Sequence, residues 1–137
     1  MSALLDIKDA VKVLLDAAVT VPVVWGMDER HGDFVSIWQG SSESTPRLLG
    51  PKPPPLDEEF ELTLVIQALT TSGRDMRTAE VAAWATYEEA DTALRSDLHL
   101  DGITFFTTPA KSKQEFIQTD QRQGCRITLT FTGLARI

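Results

Sequence analysis

The sequence predicts an α+β fold, a mainly antiparallel β-sheet with two α-helices packed on one face. The first observation is a run of alternating apolar and polar residues at 124–137, which is the period of a strand with one buried face. The second is that the predicted helices do not alternate regularly with the strands, which disfavours a parallel sheet. The apolar members of the alternating run are Cys125, Ile127, Leu129 and Phe131.

Length and composition predict one ordinary globular domain over residues 1–137. The chain has 137 residues, of which 42% are hydrophobic and 24% charged, and no apolar run approaches the roughly 18–20 residues of a membrane span. Its first residues are amphipathic with early acidic side chains, unlike a secretory signal, so we expect a cytoplasmic product and no membrane partner. The net charge of -7 argues against a surface that grips nucleic acid.

The first half of the chain predicts a helix, two short strands and a loop. Residues 3–18 place apolar side chains at helical spacing, and Pro22 ends the helix. The segments around VVW and FVSIW alternate as two short strands, which we expect to form a hairpin across the polar MDERHGD turn. Residues 40–58, with five prolines, predict a long proline-rich loop.

The second half predicts three further strands and one helix. Residues 59–69 alternate as a strand that should pair with the terminal one. Residues 78–98 predict a helix capped by Thr78, with Trp84 and Leu94 on its apolar face. A strand ending near residue 107 should follow, then a polar segment, so that 107–123 forms a second binding loop that ends in a turn near Gly124.

No sequence pattern supports a catalytic residue, a cofactor or a resident metal. The phosphate-binding, acyl-transfer and zinc-protease motifs do not occur in the sequence, so we expect a protein that is not an enzyme. His31 with Asp33, and separately His99, leave a metal-binding alternative open, although such polar clusters are usually solvated turns. Cys125 cannot form a disulfide alone and is expected to be a small buried hydrophobe.

The candidate contact residues are two tryptophans and scattered basic side chains. A sheet with apolar residues on both faces offers more apolar surface than a domain of this size readily hides, which favours contacts between subunits. We expect the two long loops and these side chains to carry the contacts. The candidates are Trp25, Trp38, Arg47, Lys52, Lys111, Lys113 and Arg122.

The sequence resembles the tail terminator, or head-tail joining, proteins of long-tailed bacteriophages. The resemblance lies in the order of the segments DIKDAVKVLLDA, FELTLVIQAL, AEVAAWATYEEADTALRSDL and GCRITLTFTGLARI. It implies a structural virion protein of the neck, assembled in the host cytoplasm as a homo-oligomer, usually a hexameric ring. Such a ring caps the tail tube protein, ends tail polymerisation and presents a surface to the head-completion or connector protein, while DNA passes through its channel without specific binding.

Two other interpretations remain open at the level of sequence. One is another neck component of the same particle, such as a head-closure or connector adaptor protein, which would share the size and the acidity. The other is a small metal-binding or ligand-binding protein that uses His31, Asp33 and His99. A high strand content counts against the adaptor, because adaptors are mostly helical.

Overall fold

The computed structural model describes residues 4–26, 32–46, 56–70, 75–96, 104–118 and 123–136. These residues form two helices and five strands in one sheet. In chain order the elements are α1 (Leu4–Ala18), β1 (Val23–Trp25), β2 (Phe34–Pro46), β3 (Leu56–Leu69), α2 (Met76–Ser96), β4 (Thr104–Gln118) and β5 (Gln123–Arg136). The predicted α+β class, mainly antiparallel with two helices, is confirmed.

The strand order across the sheet is β1-β2-β3-β5-β4. All neighbours are antiparallel except β1 and β2, which run parallel. The predicted hairpin between β1 and β2 is therefore wrong. Eight residues separate Trp25 from Phe34, a length that spans up to about 27 Å at ~3.3 Å per residue, enough to return the chain along a three-residue strand.

Alternation along the central strands creates the main core between the sheet and both helices. β3 and β5 lie side by side in register, with Leu64 opposite Leu129 and Ile66 opposite Ile127, and all four side chains are fully buried. Phe60 and Phe131 meet edge to face with ring centroids 6.1 Å apart. Directly opposed side chains share a face, so these pairs define the side of the sheet that the helices cover.

Helix α1 lies over β1 and β2 because its apolar residues recur every four positions. Ile7, Val11 and Leu15 have no exposed surface and belong to the core cluster. The helix ends at Ala18, and Pro22 prevents its continuation before β1 begins. The predicted helix over residues 3–18 is therefore confirmed to within a residue.

Helix α2 packs on β3, β5 and β4, and touches α1. It begins at Met76, and the Asp75 carboxylate accepts the Thr78 backbone N–H at 2.8 Å, so Asp75 is the N-cap and the predicted Thr78 cap is wrong. Its buried stripe is mostly alanine, which lets the helix approach the sheet closely, and Trp84 is only half-buried beside it. The buried residues are Ala79, Ala83, Thr86, Ala90, Ala93 and Leu94.

Both predicted loops are shorter than the sequence suggested. β2 continues to Pro46 and β3 starts at Leu56, so the predicted 40–58 loop is wrong at both ends, and residues 47–55 lie outside the described part of the chain. The predicted 107–123 loop is wrong over residues 107–118, which belong to β4. β4 lies at the sheet edge, where Pro109 is tolerated next to a register shift.

Gly124 lies inside β5 rather than in a turn, opposite Leu69 of β3. A Cβ at this position would lie 2.3 Å from the Ala68 carbonyl oxygen and 2.9 Å from Leu69 Cα. Only glycine fits so close to the neighbouring backbone. Gly124 itself therefore serves close strand packing, and residues 119–122, where the turn predicted near Gly124 would fall, lie outside the described part of the chain.

Candidate interaction surface

The sheet face opposite the helices is held by polar contacts to the segment between β1 and β2. Gln67 donates to the Gly32 carbonyl at 3.1 Å and accepts from the Arg126 guanidinium at 2.9 Å. The Ser36 hydroxyl donates to the Gly26 carbonyl, and Asp33 accepts the Leu69 backbone N–H at 3.0 Å. These contacts fix both ends of the connection that makes β1 parallel to β2.

Two exposed aromatic side chains lie at opposite edges of the sheet, on its helix-bearing face. Trp25, 50% exposed, is in register with the buried Ile37 at the β1 edge. Phe116, 53% exposed, is in register with the buried Cys125 at the β4 edge. Registered partners share a face, so both aromatic side chains lie on the side that carries the helices.

The described candidate residues divide between these two edges. Trp38, 36% exposed, lies in β2 at the register shift between Ile37 and Gly40, close in sequence to the part of β2 that pairs with β1. Lys113 is exposed on β4, and Lys111 occupies the β4 position opposite Thr130. The structure therefore places the two tryptophans at one edge and the two lysines at the other. The remaining candidates Arg47, Lys52 and Arg122 lie outside the described residues.

Phe116 is a surface residue that the sequence pattern does not reveal. Its segment, KQEFIQ, is typical of a polar loop because only two of its six residues are apolar. The sequence signal for Phe116 is that it directly precedes a second apolar residue, Ile117. In an edge strand these two side chains point to opposite faces, so an apolar group must appear on each side of the sheet.

Contacts between β4 and α2 fix the position of this edge. Gln114 accepts the Trp84 indole N–H at 2.5 Å and donates to Glu80 at 2.8 Å. Trp84 in turn packs edge to face against Tyr87, with ring centroids 5.0 Å apart. The strand segment that carries Phe116 is thus attached to a helix that is itself packed on the core, which gives the exposed ring a defined position.

The described residues assemble no metal-binding group of three or more His, Cys, Asp or Glu side chains. Of the metal-binding alternative, Asp33 contacts the Leu69 backbone, whereas His31 and His99 lie outside the described part of the chain. Cys125 is fully buried, as predicted. Burial raises the pKa of its thiol above the usual range, and the negative charge of Glu80 adds to this effect.

An open groove separates the second half of α1 from α2. Small side chains such as Ala17, Ala85 and Ala93 line it together with Glu88 and Glu89. Thr92 and Ser96 add two hydroxyl groups to the lining on the α2 side. Neither helix, over the residues described, is long and apolar enough to cross a membrane.

No protein-family model and no curated protein sequence matches this chain. Over the described residues, the class defined by the fold is an α+β protein with one mainly antiparallel sheet, two helices on one face and an exposed aromatic residue at each edge.

Proposed function

We propose that this protein is a structural subunit of a ring that caps the tail tube of a long-tailed bacteriophage. In this role the ring ends tail polymerisation, contacts the tail tube protein on one side and offers the other side to a head-completion or connector protein. The chain acts as a homo-oligomer, usually of six copies in proteins of this kind, in the neck of the virion and in the host cytoplasm during assembly. It carries out no catalysis in this proposal.

The observation that carries the proposal is the placement of Trp25 and Phe116 at opposite sheet edges. A ring closes through a heterologous interface, in which each subunit presents two different patches to its two neighbours. Exposed aromatic side chains are enriched in protein interfaces, and here one lies at each end of a rigid sheet. Two different exposed aromatic side chains at opposite edges of one domain fit the two different contacts that such a ring requires.

Charge and fold support the same proposal. The net charge of -7 suits a channel wall past which DNA moves, because carboxylates repel the phosphate backbone. The described strands outnumber the described helices, and the sheet is the largest element of the fold, which favours a terminator over a mostly helical connector adaptor. The adaptor or another head-closure component is the second candidate within the same particle.

The test measures mass and tube binding of the purified protein. Light scattering across protein concentration gives the oligomeric state, and negative-stain imaging with tail tubes of its own phage shows where the protein binds. We expect rings in solution, or density at one end of each tube. A protein that stays monomeric and leaves tube ends bare at high concentration would contradict the proposal.

A matched pair of variants separates the interface from general surface effects. Phe116→Ser should abolish ring formation, because it removes the apolar group at the β4 edge. Val13→Ser changes an α1 side chain that is 71% exposed and lies at neither edge, so it should leave ring formation intact. Equal behaviour of the two variants would show that the β4 edge takes no part in assembly.

The segment between β2 and β3 can be tested by shortening it. Pro46 and Leu56 are registered partners, so the chain needs at least a two-residue turn between them and cannot lose all of residues 47–55 without replacement. Replacing 47–55 by Asn-Gly removes Arg47 and Lys52 while preserving the hairpin. We expect a folded protein that no longer joins heads to tails, measured as infectious particles after complementation; full infectivity would exclude this segment from joining.

A further inference from the structure

Two stretches of sheet edge have unpaired backbone groups among the described residues. β1 covers β2 only at Val35, Ser36 and Ile37, so within the described part of the chain the outer edge of β2 has no partner strand from residue 38 onwards. At the other end of the sheet β4 pairs with β5 on one side only, again among the strands that the structure describes. An unpaired edge offers a row of N–H and C=O groups to another strand.

The direction of the strands makes these two edges compatible. Going from β2 to β3, from β3 to β5 and from β5 to β4, the chain direction reverses at each step. β4 is therefore antiparallel to β2. A second copy can extend the sheet with its helices on the same side as those of the first copy. Its β2 then meets β4 of the first copy as an antiparallel pair, which is the more stable ladder pattern.

The two edges also match in length. The β4 ladder is interrupted by a register shift between Pro109 and Lys111, so its regular part covers residues 111–118. On β2 the free edge begins at residue 38 and ends at Pro46, which has no N–H to donate. Setting Lys111 opposite Thr45 and Gln118 opposite Trp38 brings eight residues of each strand together, with a regular ladder between 111–116 and 40–45 and the β2 register shift between Ile37 and Gly40 beyond it.

This register keeps apolar groups on the helix side of the sheet. It places Phe116 opposite Gly40, and an added Cβ at Gly40 would come within 3.0 Å of Leu4 Cδ1. Phe116 of one copy would thus pack against Leu4 at the start of the other copy's α1. A cross-strand aromatic ring beside an edge glycine compensates for the missing side chain.

On the sheet face away from the helices, the same register brings positions of opposite charge next to each other. Lys113, which is exposed, falls opposite the register position of Glu43. Glu59 is the β3 partner of that position, and Glu61 lies two residues further along β3; both are exposed. Lys113 therefore faces acidic positions on the other edge, which favours pairing of different edges over pairing of like edges, whereas Glu115 falls opposite Ser41, whose β3 partner is Glu61.

We propose that copies of this chain join by strand addition, with β4 residues 111–118 of one copy pairing antiparallel with β2 residues 38–45 of the next. This inference rests on the proposed ring and names its interface. Each subunit then uses one edge as donor and the other as acceptor, so the contact is heterologous and repeats around the ring.

Engineered cysteines test this register directly. Ser41→Cys together with Glu115→Cys places two exposed positions opposite each other across the proposed junction. Within one copy β3 and β5 separate these positions by three strand spacings, about 14 Å, which exceeds the ~7 Å limit for a disulfide. Mild oxidation should therefore give a ladder of multimers on a denaturing gel, ending at the size of the closed ring.

The control pair is Ser41→Cys with Ser112→Cys. Ser112 is exposed on β4 but is registered with the core residue Leu129, so it lies on the other face and should give no ladder. The native Cys125 does not interfere because it is fully buried. Circular dichroism under reducing conditions checks that both variants fold like the unmodified chain.

A charge reversal gives an independent readout. Lys113→Glu should weaken association on the order of tenfold, because it sets like charges opposite each other, and adding Glu43→Lys should restore it. Lys8→Glu makes the same change in charge on α1 and should have little effect. Failure of the double variant to recover would overturn the proposed register.

The outcomes separate this interface from the proposed function. Rings that cap tubes without cross-linking at 41 and 115 would overturn the register while supporting the ring. Cross-linked multimers that never bind tubes would support strand addition and contradict the terminator role. A monomer at every concentration, with tubes present and no cross-link, would overturn both.

Discussion

Gly124→Ala is expected to destabilise the protein, although it adds only one methyl group. The new Cβ would lie 2.3 Å from the Ala68 carbonyl oxygen and 2.9 Å from Leu69 Cα, whereas non-bonded heavy atoms pack best at about 3.5–4.0 Å. Both neighbouring atoms belong to the backbone of β3, so no side-chain rotation can relieve the contact. β3 and β5 must move apart at this end of the sheet.

The expected size of the effect follows from two opposing contributions. Overpacking at a rigid site costs about 1–3 kcal/mol. Replacing glycine by alanine also restricts the unfolded chain, which returns about 0.4–1 kcal/mol. A 2.3 Å contact with a backbone atom places the overpacking cost in the upper half of its range, so we expect the free energy of unfolding to fall by about 1–2.6 kcal/mol, a large part of the ~5–15 kcal/mol typical of a domain.

Urea unfolding followed by tryptophan fluorescence measures this change. Gly32→Ala is the matched control, because a Cβ at Gly32 meets no atom within 4 Å. The control should keep or slightly raise the unfolding midpoint, while Gly124→Ala lowers it. Coinciding midpoints for Gly124→Ala and the unmodified protein, at equal slopes, would refute the assignment of Gly124 to close strand packing.

Three further predictions concern the α2 cap, the β4 contacts and the buried thiol. Hydrogen bonding to Thr78 lowers the pKa of Asp75, so its stabilising contribution is present above the ordinary Asp pKa and is lost as pH falls through the lowered value. The stability deficit of Asp75→Ala should thus shrink in acid; a deficit independent of pH in thermal melts would count against this cap. Gln114→Ala leaves the Trp84 indole without its acceptor and should cost about 1 kcal/mol by urea unfolding, with the exposed Gln118→Ala near neutral as control. Cys125 should react with a thiol reagent at neutral pH far more slowly than the exposed thiol introduced by Ser41→Cys, until urea unfolds the chain, and equal rates would contradict its burial.

The sequence predicted best those elements that are half-buried along their whole length. β3 and β5 alternate cleanly because one face of each packs against the helices, and α1 repeats its apolar residues every four positions for the same reason. Each of these elements therefore has a periodic signal that follows from burial. The fold class rests on these three elements, together with α2.

The edge strand β4 was predicted poorly because little of it is buried. Its described side chains from Ser112 to Gln118 are all exposed or half-buried, so no alternation distinguishes them from a loop. What makes the segment a strand is the ladder with β5, a long-range contact that local composition does not report. For the same reason, the adjacent Phe116 and Ile117 could be assigned to opposite faces of the sheet only once their segment was known to be a strand.

The parallel pairing of β1 and the N-cap of α2 show two other limits of sequence patterns. The polar residues between two apolar segments show how long the connection is, but not whether the second strand runs antiparallel or parallel to the first. A hairpin and a parallel pair such as β1 and β2 therefore have the same sequence pattern. Asp75 and Thr78 are both good capping residues, and only the hydrogen bond shows which of them is used. Trp25, Trp38 and Lys113 were named as candidate contact residues from the sequence, but their exposure and their division between opposite edges follow only from the structure.

The position of β5 between β3 and β4 has a consequence for how the chain folds. β3 is synthesised before α2 and β4, yet its partner on one side is β5, which comes after both. Until β5 is available, one edge of β3 has no native partner strand, and closing this contact requires ordering a long intervening segment. We therefore expect slow folding governed by long-range contacts, and a nascent chain that depends on chaperones during the interval before β5 inserts.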